Sequence, residues 1–197
     1  MEITYPSTVI SGVVLPRRTA VTIASMFGFA LLTAFAAQIA IPLPFTPVPI
    51  TGQTFVVLLS GAALGSWAGA GSQTLYLLMG AVGLPFFADA SGGWSVVTGA
   101  TGGYLVGFVA AAWVVGFLAE RKQDRNVWSA IPAFLAGNAV IYLFGVPWLL
   151  YSVEGITTWE QALIAGFVPF IIGDMIKIGL AGVLLPTAWK LTNSRRP

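Results

Sequence analysis

The chain has 197 residues and a net charge of +2; 57% of it is apolar, only 8% is charged, and it contains neither Cys nor His. A soluble domain carries about 25% charged residues, so a water-soluble globular protein is excluded. The missing thiols and imidazoles exclude disulfides, thiol catalysis, Ser-His chemistry and Cys/His metal sites, and the small net charge with no long basic run excludes nucleic acid as a partner.

Two further motifs are missing. No G-x-x-x-x-G-K-[ST] sequence occurs, so the chain does not bind ATP through a P-loop, and a pump would need a partner to supply the motor. No G-x-S-x-G occurs either, because Gly65-Ser66-Trp67-Ala68-Gly69 has its serine in the wrong place. No enzyme, metal or cofactor is therefore expected. The apolar runs are too many for a single anchor, so the class is a polytopic, all-α integral membrane protein. The first sixteen residues lack the basic start, apolar core and cleavage site of a signal peptide.

In chain order, residues 1–19 read as a cytoplasmic surface arm, with Arg17 and Arg18 anchoring a first span over 20–40. Pro42, Pro44, Pro47 and Pro49 then break any helix. Segment 41–50 is too apolar for a free loop and reads as an extended stretch folded inward over a cavity. The second span, 52–64, is short for a crossing and reads as tilted or partly re-entrant. Residues 65–71 read as a tight turn before a third span over 72–87, whose outer end Gly80, Gly83 and Pro85 loosen.

A loop rich in small residues follows over 88–103, holding Asp89, Gly92-Gly93-Trp94 and Thr101-Gly102-Gly103-Tyr104. The fourth span, 104–119, leads into Glu120-Arg121-Lys122-Gln123-Asp124-Arg125. The fifth span covers 127–150, the loop after it carries Glu154 and Glu160, and the sixth covers 162–189. Residues 20–190 thus form a six-helix membrane domain, and 191–197 a basic tail. With the N-terminus inside, Arg17, Arg18, Arg121, Lys122, Arg125, Lys190, Arg195 and Arg196 all fall on the cytoplasmic side. The outer loops then hold no Lys or Arg, as the positive-inside rule requires, so both termini are expected to be cytoplasmic.

Asp174 and Lys177 lie three residues apart within the sixth span, on one helix face. About ten residues into a span, at 1.5 Å each, they stand roughly 15 Å deep. Charges at that depth usually mark a substrate or ion pathway; the alternative is a self-satisfied structural ion pair. Asn138 reaches the same depth from the other side, or bonds a neighbouring helix. Gln53 and Thr51 are polar groups at the mouth of the second span. Gly102 and Gly103 serve as turn residues or bring backbone amides to a ligand, and Tyr104 and Trp94 beside the glycine pairs line the site or anchor the interface. Asp89 in the same loop counts among the ligand-facing residues. On the first span, small residues recur at Ala20, Ala24 and Gly28, at Ala30 and Ala34, and at Ala36 and Ala40. Such spacing allows close helix contact, either inside the molecule or with a separate membrane subunit.

Several motifs coincide in order: Pro44-Phe45-Thr46-Pro47-Val48-Pro49-Ile50-Thr51-Gly52-Gln53-Thr54, then Leu59-Ser60-Gly61-Ala62-Ala63-Leu64-Gly65. They continue in Tyr76-Leu77-Leu78-Met79-Gly80-Ala81-Val82-Gly83-Leu84-Pro85 and Thr101-Gly102-Gly103-Tyr104-Leu105-Val106-Gly107-Phe108, and end in Gly173-Asp174-Met175-Ile176-Lys177. Together they resemble the BioY family, the biotin-binding S components of energy-coupling factor transporters. The resemblance implies a six-helix subunit of a bacterial cytoplasmic membrane that captures biotin from outside. It implies release driven by a transmembrane T subunit and two cytoplasmic ATPases, with a solitary mode also possible. It further implies that Asp174 and Lys177 contact the ligand, and that Ala30 and Ala34 lie at the T-subunit interface. Some members carry a basic residue where this chain has Leu105, which leaves the biotin carboxylate fewer cationic partners. Rivals are the same fold serving another vitamin, and a proton-coupled carrier using Asp174 and Lys177 as a relay.

Overall fold

A computed structural model describes residues 6, 8–15 and 18–193; Arg17, Arg195 and Arg196 of the charge asymmetry lie outside the described residues. The arm is more than a surface segment. Its short helix α1 (Ile10–Val14) packs on the protein, with Val9 fully buried and Ser11 Oγ donating to the Ala63 carbonyl. Helix α2 (Thr19–Ala37) follows, an uninterrupted apolar run that stops ahead of the prolines.

The proline segment forms an antiparallel hairpin, β1 (Ala40–Leu43) and β2 (Thr46–Thr51), with Ala40 opposite Thr51 and Ile41 opposite Ile50. A two-stranded ribbon has free edges on both sides, so it tolerates the missing N–H groups of Pro42, Pro47 and Pro49. The segment expected as a single extended stretch folded inward is a two-stranded ladder, so the all-α expectation is corrected: the protein is mostly but not wholly helical.

Helices α3 (Gln53–Leu64) and α4 (Ser66–Ala81) are joined by Gly65 alone, at φ 87° and ψ 177°. Only glycine adopts that conformation freely. In place of an N-cap, the Glu120 carboxylate accepts from the Ser66 amide at 2.7 Å and its hydroxyl at 2.8 Å. The turn expected over 65–71 therefore shrinks to one residue, and α4 starts and ends six residues early. Residues 82–87 leave the helix at Gly83 (φ 105°) and fold back, so that Phe87 fills the notch left by Gly80 and meets Tyr76 edge-on at 5.6 Å.

Within the 88–103 loop lie a single 3₁₀ turn at Ala88–Ala90 and a short helix, α5 (Trp94–Thr98). Helix α6 (Gly102–Glu120) is the axis, packed on α3, α4 and α7 (Val127–Ser152). The α6–α7 seam is close because glycines face it: a Cβ on Gly103 would overlap Trp148, and one on Gly145 would overlap the Tyr104 ring.

The expected sixth span is broken. Helix α8 (Trp159–Gly166) starts at a capping box of Thr158 and Gln161 and stops at Phe167. A 3₁₀ turn holding Pro169 intervenes, and α9 (Ile171–Asn193) completes the descent. Among the described residues, four helical stretches are long and apolar enough to cross a membrane: Thr19–Ala37, Gly102–Glu120, Val127–Ser152 and Trp159–Thr192. The 12 residues of α3 span only about 18 Å.

The two ends of the protein differ. At one end α1, Gly65, Glu120 and the 121–126 loop meet; Arg125 donates to the Thr8 carbonyl at 2.9 Å, and Trp189 donates to Asp124. At the other end of α6 stand the hairpin, the 82–101 segment and the α8–α9 break.

Candidate ligand site

At this second end is a cavity of about 210 Å³, lined by Pro47–Pro49 of β2, Gln53 and Thr54 of α3, Phe87–Asp89, Tyr104, Leu105 and Phe108 of α6 and Ile141–Tyr142 of α7. Asp174 and Lys177 form its floor. The break at Pro169 places Asp174 in the first turn of α9, where unpaired backbone amides favour a negative charge. Such broken-helix ends are a recurring way to hold polar groups at membrane depth.

Asp174 is buried, with 3% of its surface exposed, and its two oxygens have separate tasks. Oδ2 accepts from Asn138 Nδ2 at 2.9 Å and from the Tyr142 hydroxyl. Oδ1 faces Lys177 Nζ at 3.3 Å, and that ammonium also donates to Thr54 Oγ1 at 2.9 Å. Burying a charge is tolerable only with such partners. Three helices thus converge on one ion pair: α7 fixes the carboxylate, α3 fixes the ammonium, and α9 carries both. Among the lining residues Lys177 is the one cation.

The sequence-derived site residues divide into groups. Asp174, Lys177, Gln53, Tyr104 and Asp89 line the cavity together. Gln53 is held by the Tyr76 hydroxyl at 2.5 Å and by Thr51 Oγ1, which donates to it at 2.8 Å. The Tyr104 ring faces the cavity, while its hydroxyl donates to the Gly166 carbonyl at 2.8 Å and ties α6 to α8. Asn138 stands behind Asp174, outside the lining, and acts on it rather than on the space.

Gly102 and Gly103 are also outside the lining. A Cβ on Gly102 would overlap the Val97 carbonyl, and one on Gly103 would overlap Trp148, so these glycines permit close packing instead of offering amides to a ligand. Ala30 and Ala34 point into the molecule, at 0% and 7% exposure, within the core that holds Tyr76 and Phe87. They cannot present an outer docking face. The small residues that α2 does expose are Ala20, Ala24 and Gly28, and no neighbouring atom lies within 4 Å of a Cβ built on Gly28.

Tyr142 and Thr54 belong to the site but were not singled out in the sequence. Tyr142 follows Asn138 by four residues, which puts both on one helix face, and that spacing was the available signal. Among the described residues no group of three or more His, Cys, Asp or Glu side chains could hold a metal ion.

A family model described as the BioY family matches residues 10–194. The chain is 41% identical over 167 residues to a biotin transporter BioY of Thermotoga maritima, covering 85% of this chain and 95% of that one. A biotin transporter BioY of Rhodobacter capsulatus is 38% identical over 177 residues, covering 85% and 91%. The fold is similar to the crystal structure of an S component for biotin from an ECF-type ABC transporter, with TM-score 0.78, 26% identity, and coverage of 87% of this chain and 92% of that one. A family model matching residues 10–194 and 41% identity over 85% of the chain lead to one assignment: the chain belongs to the BioY family.

Proposed function

We propose that this protein is a biotin-capturing S component of an energy-coupling factor transporter in a bacterial cytoplasmic membrane. The observation that carries the reading is the Asp174–Lys177 pair lining the cavity, in a chain that spans nearly all of several biotin transporters. It is a transporter subunit and not an enzyme. In this reading the chain crosses the membrane six times, α3 and α4 obliquely, with both termini inside. The cluster of Arg121, Lys122 and Arg125 then lies on the cytoplasmic side, and the cavity opens outward.

The pair is suited to a cyclic urea. Asp174 Oδ2 already accepts two hydrogen bonds and Oδ1 one, from Lys177, so Oδ1 keeps a lone pair for a ligand N–H. Lys177 Nζ beside it donates to the urea carbonyl. The hairpin and the 88–103 segment form the cover. A pocket screened from water makes each such bond strong and release difficult, which fits the expectation of a T subunit and two ATPases. The exposed stripe Ala20-Ala24-Gly28 is the surface on which a membrane subunit would dock, in place of Ala30 and Ala34.

Calorimetry with biotin and biotin methyl ester tests the reading. Equal binding of both supports the urea at the charged pair. Tight biotin binding lost with the ester keeps biotin and moves its carboxylate to Lys177. Binding of neither overturns the reading and directs the test to riboflavin and thiamine.

A further inference from the structure

The cover over the cavity comes in two pieces far apart in the chain: β2 through Pro47–Pro49, and the turn through Phe87, Asp89 and Ser91. One side chain ties the turn to the chain that leads into the hairpin. Gln38 follows α2 and stands two residues before β1, at the root of the hairpin. Its Nε2 donates to the Phe87 carbonyl at 3.1 Å and to the Ala34 carbonyl at 2.9 Å, and its Oε1 accepts from the Ala90 amide at 3.0 Å. The side-chain amide thus clamps both ends of the turn while braced on its own helix.

The turn itself is held away from its relaxed shape. Asp89 (φ 57°) and Ala90 (φ 53°) are consecutive residues in the left-handed region. Aspartate tolerates that region; alanine has no side-chain bond to offset the crowding of its Cβ. Strained backbone persists only where its surroundings over-determine it. The turn closes on itself through the Phe87 amide, which donates to the Ser91 carbonyl at 2.9 Å, and the Ser91 hydroxyl, which donates to the Ala88 carbonyl at 2.7 Å. Gln38 adds the constraint from outside the turn. Gln38, Asp89 and Ala90 are all exposed, so water can compete for the clamp. Phe87 at the base of the turn is buried against Gly80 and Tyr76, which leaves it as the fixed end when the tip moves.

We propose that Gln38 is a positioning residue that latches the Phe87–Ser91 turn to the root of the hairpin and so sets how fast ligand leaves the cavity. The ligand part of this inference rests on the biotin reading; the latch rests on the fold alone. Two measurements separate them. Hydrogen exchange of the ligand-free protein should show the peptide across 87–91 exchanging faster in Gln38→Ala than in wild type. A chase of radiolabelled biotin should show release accelerated about tenfold in Gln38→Ala. Association should quicken as well, so that Kd moves less than the release rate; general loosening of the fold would not raise the association rate. Gln38→Glu keeps the acceptor for Ala90 and should fall between the two. Ala90→Gly relieves the strain and should slow release by about threefold. Unchanged exchange at 87–91, or unchanged release, in Gln38→Ala overturns the latch. If wild type fails to bind biotin while the variant still exchanges faster, the ligand reading falls and the latch stands.

Discussion

Trp189 donates its indole N–H to the buried carboxylate of Asp124 at 2.5 Å, tying the end of α9 to the loop before α7. Arg125 lies over the same indole, with its guanidinium carbon 3.3 Å from the ring centroid, and stands 3.7 Å from Asp124. Burial pushes the Asp124 carboxyl above the usual carboxylate range, and the bond from Trp189 and the charge of Arg125 offset only part of that shift. A raised folded-state value means the folded protein keeps a proton that the unfolded chain has lost. The contribution is therefore fully present below the unfolded value, about 4, and is lost as pH rises through the folded value. Thermal unfolding in detergent from pH 4 to 7 should show wild type losing stability relative to Asp124→Asn, whose amide oxygen still accepts from Trp189. Parallel profiles would remove Asp124 as the cause.

Lys177→Ala should weaken biotin binding by tenfold or more, about 1.4 kcal/mol, because the cavity lining has no second cation. Thr54→Val, which leaves the ammonium with Asp174 alone, should cost less, about threefold. Calorimetry on both variants checks the order, and equal losses would mean that Thr54 contacts the ligand directly.

Tyr142→Phe deletes one of the two donors to Asp174 Oδ2 and leaves Asn138 in place. Affinity should fall by about three- to tenfold, corresponding to roughly 1 kcal/mol for one hydrogen bond. Asn138→Ala should do the same without touching the cavity wall. Wild-type affinity in both variants would show that Oδ2 needs no fixing.

Bulk on α2 should have opposite effects at its two small stripes. Ala34→Leu forces methylenes into a buried site and should destabilise the protein by about 1–3 kcal/mol. Gly28→Leu should leave unfolding and biotin binding near wild type and lower uptake in cells that hold the T subunit and ATPases. Normal uptake by Gly28→Leu would reduce that stripe to lipid-facing surface.

The charged pair and the extended proline segment were legible in the sequence, because scarce charge and helix-breaking residues are strong signals in an apolar chain; the pairing of that segment into a hairpin was not. The register of α2 was not. The helix is apolar all round, so composition does not say which small stripe faces inward, and Ala30 and Ala34 were assigned outward although they pack under Phe87. The break before α9 was half visible in Pro169. By length and apolar composition residues 159–192 read as one span, and only the structure shows that the turn at Val168–Phe170 gives Asp174 a helix start to sit on. Tyr142 was missed because an aromatic in a span reads as packing until a carboxylate is found within reach of its hydroxyl.

The one-residue joint at Gly65 has a mechanical consequence. A single backbone unit separates α3 from α4, and Glu120, which fills the space where a side chain would go, accepts from the first amide of α4. At the ends of the two helices away from the joint stand Gln53 and Thr54 on α3 and Gly80, the seat of Phe87, on α4. Bulk introduced at the joint, as in Gly65→Ala, is therefore expected to displace both walls of the cavity together.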